Sequence, residues 1–556
     1  MLGGGLQLAL IPAPLIVAAI VVFALTPRQA GVARTVAGVG IAATIALLAV
    51  EVAFLNGSGR IETSLGTPVA GITYLLRLDL PGATLGLAAA AAGLLLLFEG
   101  DRRTREVAAV LVCVTGTTLA VLAGNVVMLV GGIEIAGVGT LLMTCAARGM
   151  PGRGGLVAIG IEHLASLALL VAGVQLLSNA GTTDFAVIPA GAMGATVAGP
   201  WAAAGVVRLL SPAFVPIRGS RTPTAAWATT AAIPCGAIVL LRLREAAAGP
   251  LPEQVTIGLA TVGGIAAVVA VGVALRRSRV PVLAGRALCI VAAAPVVALT
   301  GIAGPSAGAA IAAGICSLIL VTALTPAWEQ VGRGRGGTAL AALALGAAGS
   351  LPVGFGITAL ILELSATVSV GRPGAALLAA LGLAGCLGAA AAVRAAAIIV
   401  AQQDDGSRTR YPSVLAMAAA VVSVVAAIVP GTVATSVLAS LSSGGLTEPI
   451  GAAAIRATAG DWSGGYVLVA FVVVAAGAWS FATLMGWALV TRPSPEVTPL
   501  SVTRAVGLRV VRRVRPAALR GNAFLRQTDD WLVGQPQLVV VLGGAVALIL
   551  LFQLIH

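Results

Sequence analysis

The sequence predicts an all-α membrane protein that crosses the bilayer about sixteen times, and three observations carry that reading. Of its 556 residues 59% are hydrophobic and 10% are charged, with a mean hydropathy of +1.05, far too apolar for a soluble globular chain. Apolar runs of about 20 residues recur along the whole length, each able to cross a hydrocarbon core of about 30 Å as a helix. The polar stretches between them are short, the longest being residues 491–533. None has room for a soluble domain, so residues 1–556 read as a single membrane domain.

In order, the runs are 6–25, 36–55, 83–98, 107–124, 126–145, 155–178, 190–217, 222–241, 255–275, 282–302, 304–325, 338–366, 373–401, 412–440, 463–490 and 534–555. The first, within MLGGGLQLALIPAP, has no basic lead and no small-residue cleavage site, so it reads as a span rather than a signal peptide. Loops after odd-numbered spans carry 24 Arg and loops after even-numbered spans carry six. The positive-inside rule then places the odd loops in the cytoplasm and both termini outside the cell membrane. The net charge of +13 is mostly this topology signal and implies no nucleic-acid partner. Within the basic segment 492–533, Val and Leu alternate with Arg, which suits an amphipathic helix lying on anionic lipids along 499–527 or on a neighbouring subunit. Pro516 and Gly521 interrupt that pattern, and a solvated basic loop is the alternative.

Composition also bounds the chemistry. All 33 basic residues are Arg, so no buried ammonium is present to lose a proton. The six cysteines, Cys113, Cys145, Cys235, Cys289, Cys316 and Cys386, stand singly in or at the ends of apolar runs, with no CxxC. His163 and His556 are the only histidines, which excludes a multi-histidine metal centre, a paired haem ligation and a His-based triad. No cofactor or metal is expected, and the chain reads as a non-catalytic membrane protein that does no bond chemistry itself.

Two long spans are broken. Span 7 contains Pro200, Pro212 and Pro216, and span 12 contains Pro352 between Gly349 and Gly354. They lie five spans apart. Residues 107–244 (spans 4–8) and 255–401 (spans 9–13) are therefore expected to form two repeats, inverted because each has an odd number of helices, with transport sites at the breaks. Within span 5 the stretch GGIEIAGVG, residues 131–139, places Glu134 among apolar residues and Gly. An acid at that depth costs roughly 2.5–3.5 kcal/mol on insertion scales, so a partner or a task is expected.

From about Tyr74 to Gln402 the chain resembles the antiporter-like membrane subunits shared by respiratory complex I, by hydrogenase-4 and formate-hydrogenlyase complexes, and by Mrp-type sodium/proton antiporters. YLLRLDLPGATLGL puts Asp79 on the family's aspartate before span 3, and GNVVMLVGGIEIAGVG puts Glu134 on the span 5 glutamate. The stretch GLVAIGIEHLASLALLVAGVQLLSNAGTTDFAVI is most similar to hydrogenase-type members, with His163 in span 6 ahead of Asp184-Phe185-Ala186. TPTAAWATTAAIPCGAIVLLRLR resembles span 8, and AAVRAAAIIV resembles span 13 with Arg394 on the family arginine. The resemblance implies a membrane arm that couples redox chemistry or a sodium gradient to proton movement along a line of ionisable residues. It implies other antiporter-like and small membrane subunits as partners, together with a soluble iron-sulfur or hydrogenase-like module. The span 5 glutamate of the family pairs with a lysine on broken span 7, and a nearby carboxylate makes such a lysine switchable.

This sequence departs from that pattern. Registering Pro216 and Pro223 on the family prolines puts Gly205 and Gly236 at the span 7 and span 8 lysines, Thr358 at the span 12 position and Cys316 near the span 11 lysine. The ionisable candidates that remain are Glu134, Arg208 (one turn beyond Gly205), His163, its neighbour Glu162, Glu363, Arg394 and Asp79. Arg208 is expected as the ion-pair partner of Glu134, where it would hold the carboxylate ionised without cycling its own proton. Three readings of Glu134 stay open: a structural ion pair, a working proton site, or a protonated core acid. His163 reads either as a relay or as a packing histidine. The expected function is a membrane-arm subunit whose own channel is reduced and whose role is structural or coupling. The alternatives are an active proton path through Glu134, His163 and Glu363, and an autonomous secondary solute transporter.

Overall fold

The computed structural model describes residues 8–55, 60–67, 73–97, 103–145, 153–189, 191–214, 228–247, 249–276, 281–302 and 372–401, with isolated helical positions at 311, 314, 315, 318 and 321. Eleven of the expected spans fall on these residues, and each contains a helix. Spans 12 and 14–16, with Pro352, Thr358, Glu363 and the basic segment 492–533, lie outside the described residues, and so does Cys316. In chain order the helices are α1 (Ala13–Ala24), α2 (Ala30–Phe54), α3 (Leu80–Leu97), α4 (Thr104–Val121), α5 (Val126–Cys145), α6 (Arg153–Ala180), α7 (Ala195–Phe214), α8 (Ile233–Ala247), α9 (Glu253–Arg276), α10 (Pro281–Thr300) and α11 (Arg372–Ala401). The architecture is polytopic and helical. Among the described residues, seven helices are long and apolar enough to cross a membrane.

Small residues decide how the central helices meet. A Cβ on Gly116 of α4 would strike the Ala136 backbone of α5, and one on Gly132 of α5 would strike the Ala120 backbone of α4. Gly139 continues the seam one turn on, with its Cβ position 2.5 Å from the Cys113 nitrogen. Apolar side chains gain nothing by leaving lipid, so it is this close backbone approach through small residues that holds α4 to α5. The seam also fixes the rotation of α5. Glu134 lies two residues, about 200°, from Gly132 and so faces away from α4. α6 packs on that other side of α5, and α7 packs on α6 and α8.

α5 begins at Asn125, whose side-chain oxygen accepts the Met128 N–H at 2.9 Å and caps the helix. Span 7 is helical from Ala195 to Phe214 through Pro200 and Pro212, while Pro216 lies outside the described residues. The described part of span 8 begins with a π-helical turn, Ala228–Ala232, and α8 then runs past the expected end at 241 to Ala247. The apolar run does stop at Leu241. The helix continues because Arg242 and Glu245 pair one turn apart at 2.9 Å.

A β-hairpin absent from the sequence reading joins α2 to α3. Strands β1 (Arg60–Ser64) and β2 (Leu75–Asp79) are antiparallel, with Arg60 opposite Asp79 and Glu62 opposite Arg77. Every residue of β2 is buried. Its outer edge bonds to the turn after α4, Arg77 N–H to Leu122 O at 2.7 Å and Gly124 N–H to Leu75 O at 2.9 Å.

Candidate functional site

Two acid–base pairs lie side by side in the middle of the α5–α6–α7 layer. In the first, His163 Nδ1 lies 3.5 Å from Glu134 Oε1, and the two side chains are 56% and 42% exposed. Their surroundings are apolar and outward-facing: Ile135 and Val138 on α5, Leu164, Leu167 and Val171 on α6. In the second, Arg208 Nη1 of α7 lies 3.6 Å from Glu162 Oε2 of α6, with both side chains almost wholly buried. Arg208 Nη2 donates to the Glu162 carbonyl at 2.8 Å and to Ser166 Oγ at 2.7 Å. Thr140 of α5 donates to Glu162 Oε2 at 3.3 Å. Gly137 faces this carboxylate, with the position of a Cβ at an ordinary contact distance of 3.5 Å from Oε2.

The pairing differs from the expected Glu134–Arg208 contact, and the cause is geometric. α6 stands between α5 and α7, so Arg208 meets the α6 acid first. Glu162 and His163 are adjacent and diverge by about 100° around α6, which sends the acid inward to Arg208 and the imidazole outward to Glu134. Sequence reasoning had both α6 residues as candidates but missed Ser166, one turn after Glu162, and Thr140.

A polar branch continues inward from Glu162. Glu162 and Thr140 both lie close to the Cys113 thiol of α4, which in turn faces Thr230 of the π-helical turn. Thr117 donates to the Thr230 carbonyl at 2.6 Å and lies 3.7 Å from Cys235 Sγ. All of these groups are buried. The π-helical turn supplies the buried carbonyl that accepts the Thr117 hydroxyl, and its wider winding departs from the regular helical hydrogen-bond ladder.

The two positions that the resemblance assigns to lysines are packed tight. A Cβ on Gly205 would lie 2.6 Å from Leu240 of α8, and one on Gly236 would lie 2.8 Å from the Leu209 nitrogen and 3.1 Å from the Gly205 carbonyl. α7 and α8 touch backbone to backbone there. Trp201, fully buried one turn before Gly205, donates its indole N–H to the Val239 carbonyl at 3.0 Å and locks the crossing.

Asp79 belongs to a separate cluster at the boundary where β2 meets α8. It pairs with Arg242 through Oδ2, lies 3.5 Å from Arg77 Nε, and accepts the Gly82 N–H at 2.9 Å. Arg77 also pairs with Glu245, and it lies 3.7 Å from Glu62. The Arg242 guanidinium stacks over Phe185 at 5.8 Å, and Phe185 packs on Trp201 at 5.7 Å between ring centres. Burial pushes the Asp79 carboxyl up, but Arg242 and Arg77 outweigh it and hold the carboxyl below the usual range. The DFA stretch is thereby explained: the Asp184 carboxylate accepts the Ala186 N–H at 2.9 Å in a turn, and the turn seats Phe185. Arg242, Arg77 and Glu245 were missed because they border apolar runs and read as loop charges. Arg394 lies on α11, which packs on α9 and α10. Glu363 lies outside the described residues. Among the described residues, no group of three or more His, Cys, Asp or Glu could hold a metal ion.

No protein-family model matches the chain, and no curated protein matches it in sequence. Solved structures share its fold. A chain of the Mrp complex from Dietzia sp. DQ12-45-1b superposes with a TM-score of 0.66 at 19% identity over 98% of this chain and 63% of that one. A chain of the membrane-bound sulfane sulfur reductase, an archaeal respiratory membrane complex, gives 0.65 at 15% identity over 96% of this chain and 100% of that one. A chain of respiratory complex I from Thermus thermophilus gives 0.52 at 16% identity over 76% of this chain and 96% of that one. The present chain thus spans 63% of the length of the Mrp chain. At these identities the likeness is one of fold, and it is the fold that the sequence resemblance implied.

Proposed function

We propose that this chain, whose fold is that of the antiporter-like subunits of Mrp and complex I assemblies, is a membrane-arm subunit with a structural or coupling role. The assembly would be of the complex I-like or hydrogenase type, coupling redox chemistry to proton translocation, and this subunit's own proton path is reduced. The observation that carries the reading is the pairing at Arg208. The Arg208 guanidinium is held by the Glu162 carboxylate, the Glu162 carbonyl and Ser166, and arginine, unlike lysine, is not a proton carrier in proteins. It can fix charge in the membrane but cannot load and release it. The close packing at Gly205 and Gly236 supports the same conclusion, since even a Cβ would crowd the Leu240 side chain at the first and the Leu209 backbone at the second. Residues 499–527 are proposed to rest on anionic lipid, and the termini to face outward in the cell membrane.

The Glu134–His163 pair favours a second reading, in which the outward face still takes up and passes a proton. A half-exposed acid and imidazole do not belong against hydrocarbon, so a neighbouring membrane subunit is proposed to cover the α5–α6 face.

Purification of the full chain in mild detergent tests the assembly. Several unlike membrane subunits should co-purify; a monomer or homo-oligomer would sink the proposal and favour an autonomous transporter. Glu134→Gln separates the two readings. Unchanged proton pumping by the intact assembly supports the reduced path, whereas loss of pumping with the complex still formed supports the active one.

A further inference from the structure

The charged cluster at the hairpin and the packed crossing of α7 and α8 are joined by a closed circuit of contacts around Phe185. On one side Arg242 of α8 lies over the Phe185 ring at 5.8 Å. On the other, Phe185 meets Trp201 of α7 at 5.7 Å, and the Trp201 indole N–H returns to α8 at the Val239 carbonyl, one turn before Arg242. Arg242, Phe185 and Trp201 are all buried, so none of them moves without displacing the next.

Strand β2 grips this circuit twice. Its Asp79 carboxylate pairs with Arg242, while its Arg77 pairs with Glu245 one turn further along α8. Its backbone reaches Phe185 by a second route: the Leu75 carbonyl accepts the Gly124 N–H at 2.9 Å, and the Gly124 carbonyl accepts the Phe185 N–H at 3.2 Å. The other strand carries the line of charges to the surface. Glu62 Oε1 lies 3.7 Å from Arg77 Nε and 3.5 Å from Arg60 Nε, and Arg60 is exposed. Contacts therefore run unbroken from β1 to Trp201, which stands two turns before Arg208 on the same face of α7.

We propose that the hairpin is a mechanical relay, in which displacement of β1 passes through Arg77, Asp79 and Arg242 to Phe185 and shifts Trp201 at the α7–α8 crossing. Phe185 is the positioning residue of the device, since the guanidinium and the indole meet through its ring. The relay acts by packing and ion pairing and moves no proton. It therefore goes beyond both readings of the proton path and holds under either.

Fluorine NMR of the full chain in mild detergent, with its seven tryptophans replaced by fluorotryptophan, reports on the crossing, the Trp201 resonance being the one lost in Trp201→Phe. Arg77→Met cuts the line of charges between β1 and α8 and should shift that resonance. In the Phe185→Leu background the same substitution should add no further shift, as a coupled pair in a double-mutant cycle requires. Arg244→Gln is the control, because Arg244 lies on α8 but donates to the Gly249 carbonyl at 3.0 Å, outside the line; it should leave the resonance in place. The relay is overturned if Arg77→Met leaves the Trp201 resonance unmoved, if its shift persists in full with Phe185→Leu, or if Arg244→Gln shifts the resonance equally. If Arg77→Met does not fold, Glu62→Gln at the half-buried end of the line should still shift the resonance, and an unmoved resonance there overturns the relay as well.

Discussion

Glu162→Gln removes one charge from the buried pair and leaves the shape of the site almost unchanged. Arg208 keeps its bonds to the Glu162 carbonyl and to Ser166, both donated by Nη2, but loses the carboxylate 3.6 Å from Nη1. At an effective dielectric of about 20 that separation corresponds to about 4.6 kcal/mol, within the roughly 3–5 kcal/mol lost when one member of a buried pair is removed. Arg208→Met should cost less. A carboxyl group, unlike a guanidinium, has a neutral form; the Glu162 side chain keeps its Thr140 contact, and the Glu162 carbonyl and Ser166 still have partners within α6. We expect about 1–2 kcal/mol, the scale of lost hydrogen bonds without an orphaned charge. The double variant Glu162→Gln/Arg208→Met should recover most of the loss of Glu162→Gln. The assay is equilibrium unfolding of the full chain in bicelles, read by tryptophan fluorescence and closed as a double-mutant cycle. The reasoning is refuted if Arg208→Met destabilises as much as Glu162→Gln, or if the two effects add without coupling.

Three further outcomes follow from the same geometry. Gly132→Ala should destabilise the chain by about 1–3 kcal/mol in thermal unfolding, because its Cβ meets the α4 backbone, while Gly131→Ala on the open face should stay within about 0.5 kcal/mol. Asp79→Asn should cost about 3 kcal/mol near neutral pH by leaving Arg242 and Arg77 to share Glu245. Asp79 is held below its unfolded value, so its contribution is complete above about pH 5 and is lost as pH falls through the folded value. Unfolding of the wild type should therefore steepen on the acid side, and Asp79→Asn should lack that part of the slope. Gly236→Ala should loosen the α7–α8 crossing, with a fall in thermal midpoint and greater exposure of Trp201 to a membrane-soluble quencher.

How much of this was legible in the sequence depends on the length scale of the signal. Spans were readable because hydrophobic length is a local property, and each described span proved helical. The ends were less so. Arg242 and Glu245 read as loop charges at the end of span 8, although a partner 163 residues away in sequence, Asp79, draws Arg242 into the helix and into the core. The hairpin that carries Arg77 was missed for a related reason: all five residues of β2 are buried, so they lack the alternation that marks a half-exposed strand. The candidate acids were found, because an ionisable residue in an apolar run is conspicuous, but their pairing was not. Glu134 and Arg208 seemed natural partners as long as only depth was considered. The rotation of α5 about its axis decides otherwise, and that rotation is set by Gly116, Gly132 and Gly139.

The glycines around Glu134 therefore do different work from the acid they flank. Gly132 and Gly139 press α5 into α4, which turns Glu134 outward to His163 and leaves the inner position for Glu162. Among the described residues, the α5–α7 layer thus holds the Glu162–Arg208 pair inside and the Glu134–His163 pair on its outer face, and the sequence offers no lysine to either. A larger residue at Gly132 should therefore rotate α5 and part Glu134 from His163 even where the protein still folds. Disulfide formation in Glu134→Cys/His163→Cys should then be slower with Gly132→Ala than without it, and an unchanged rate would show that the seam does not set the site.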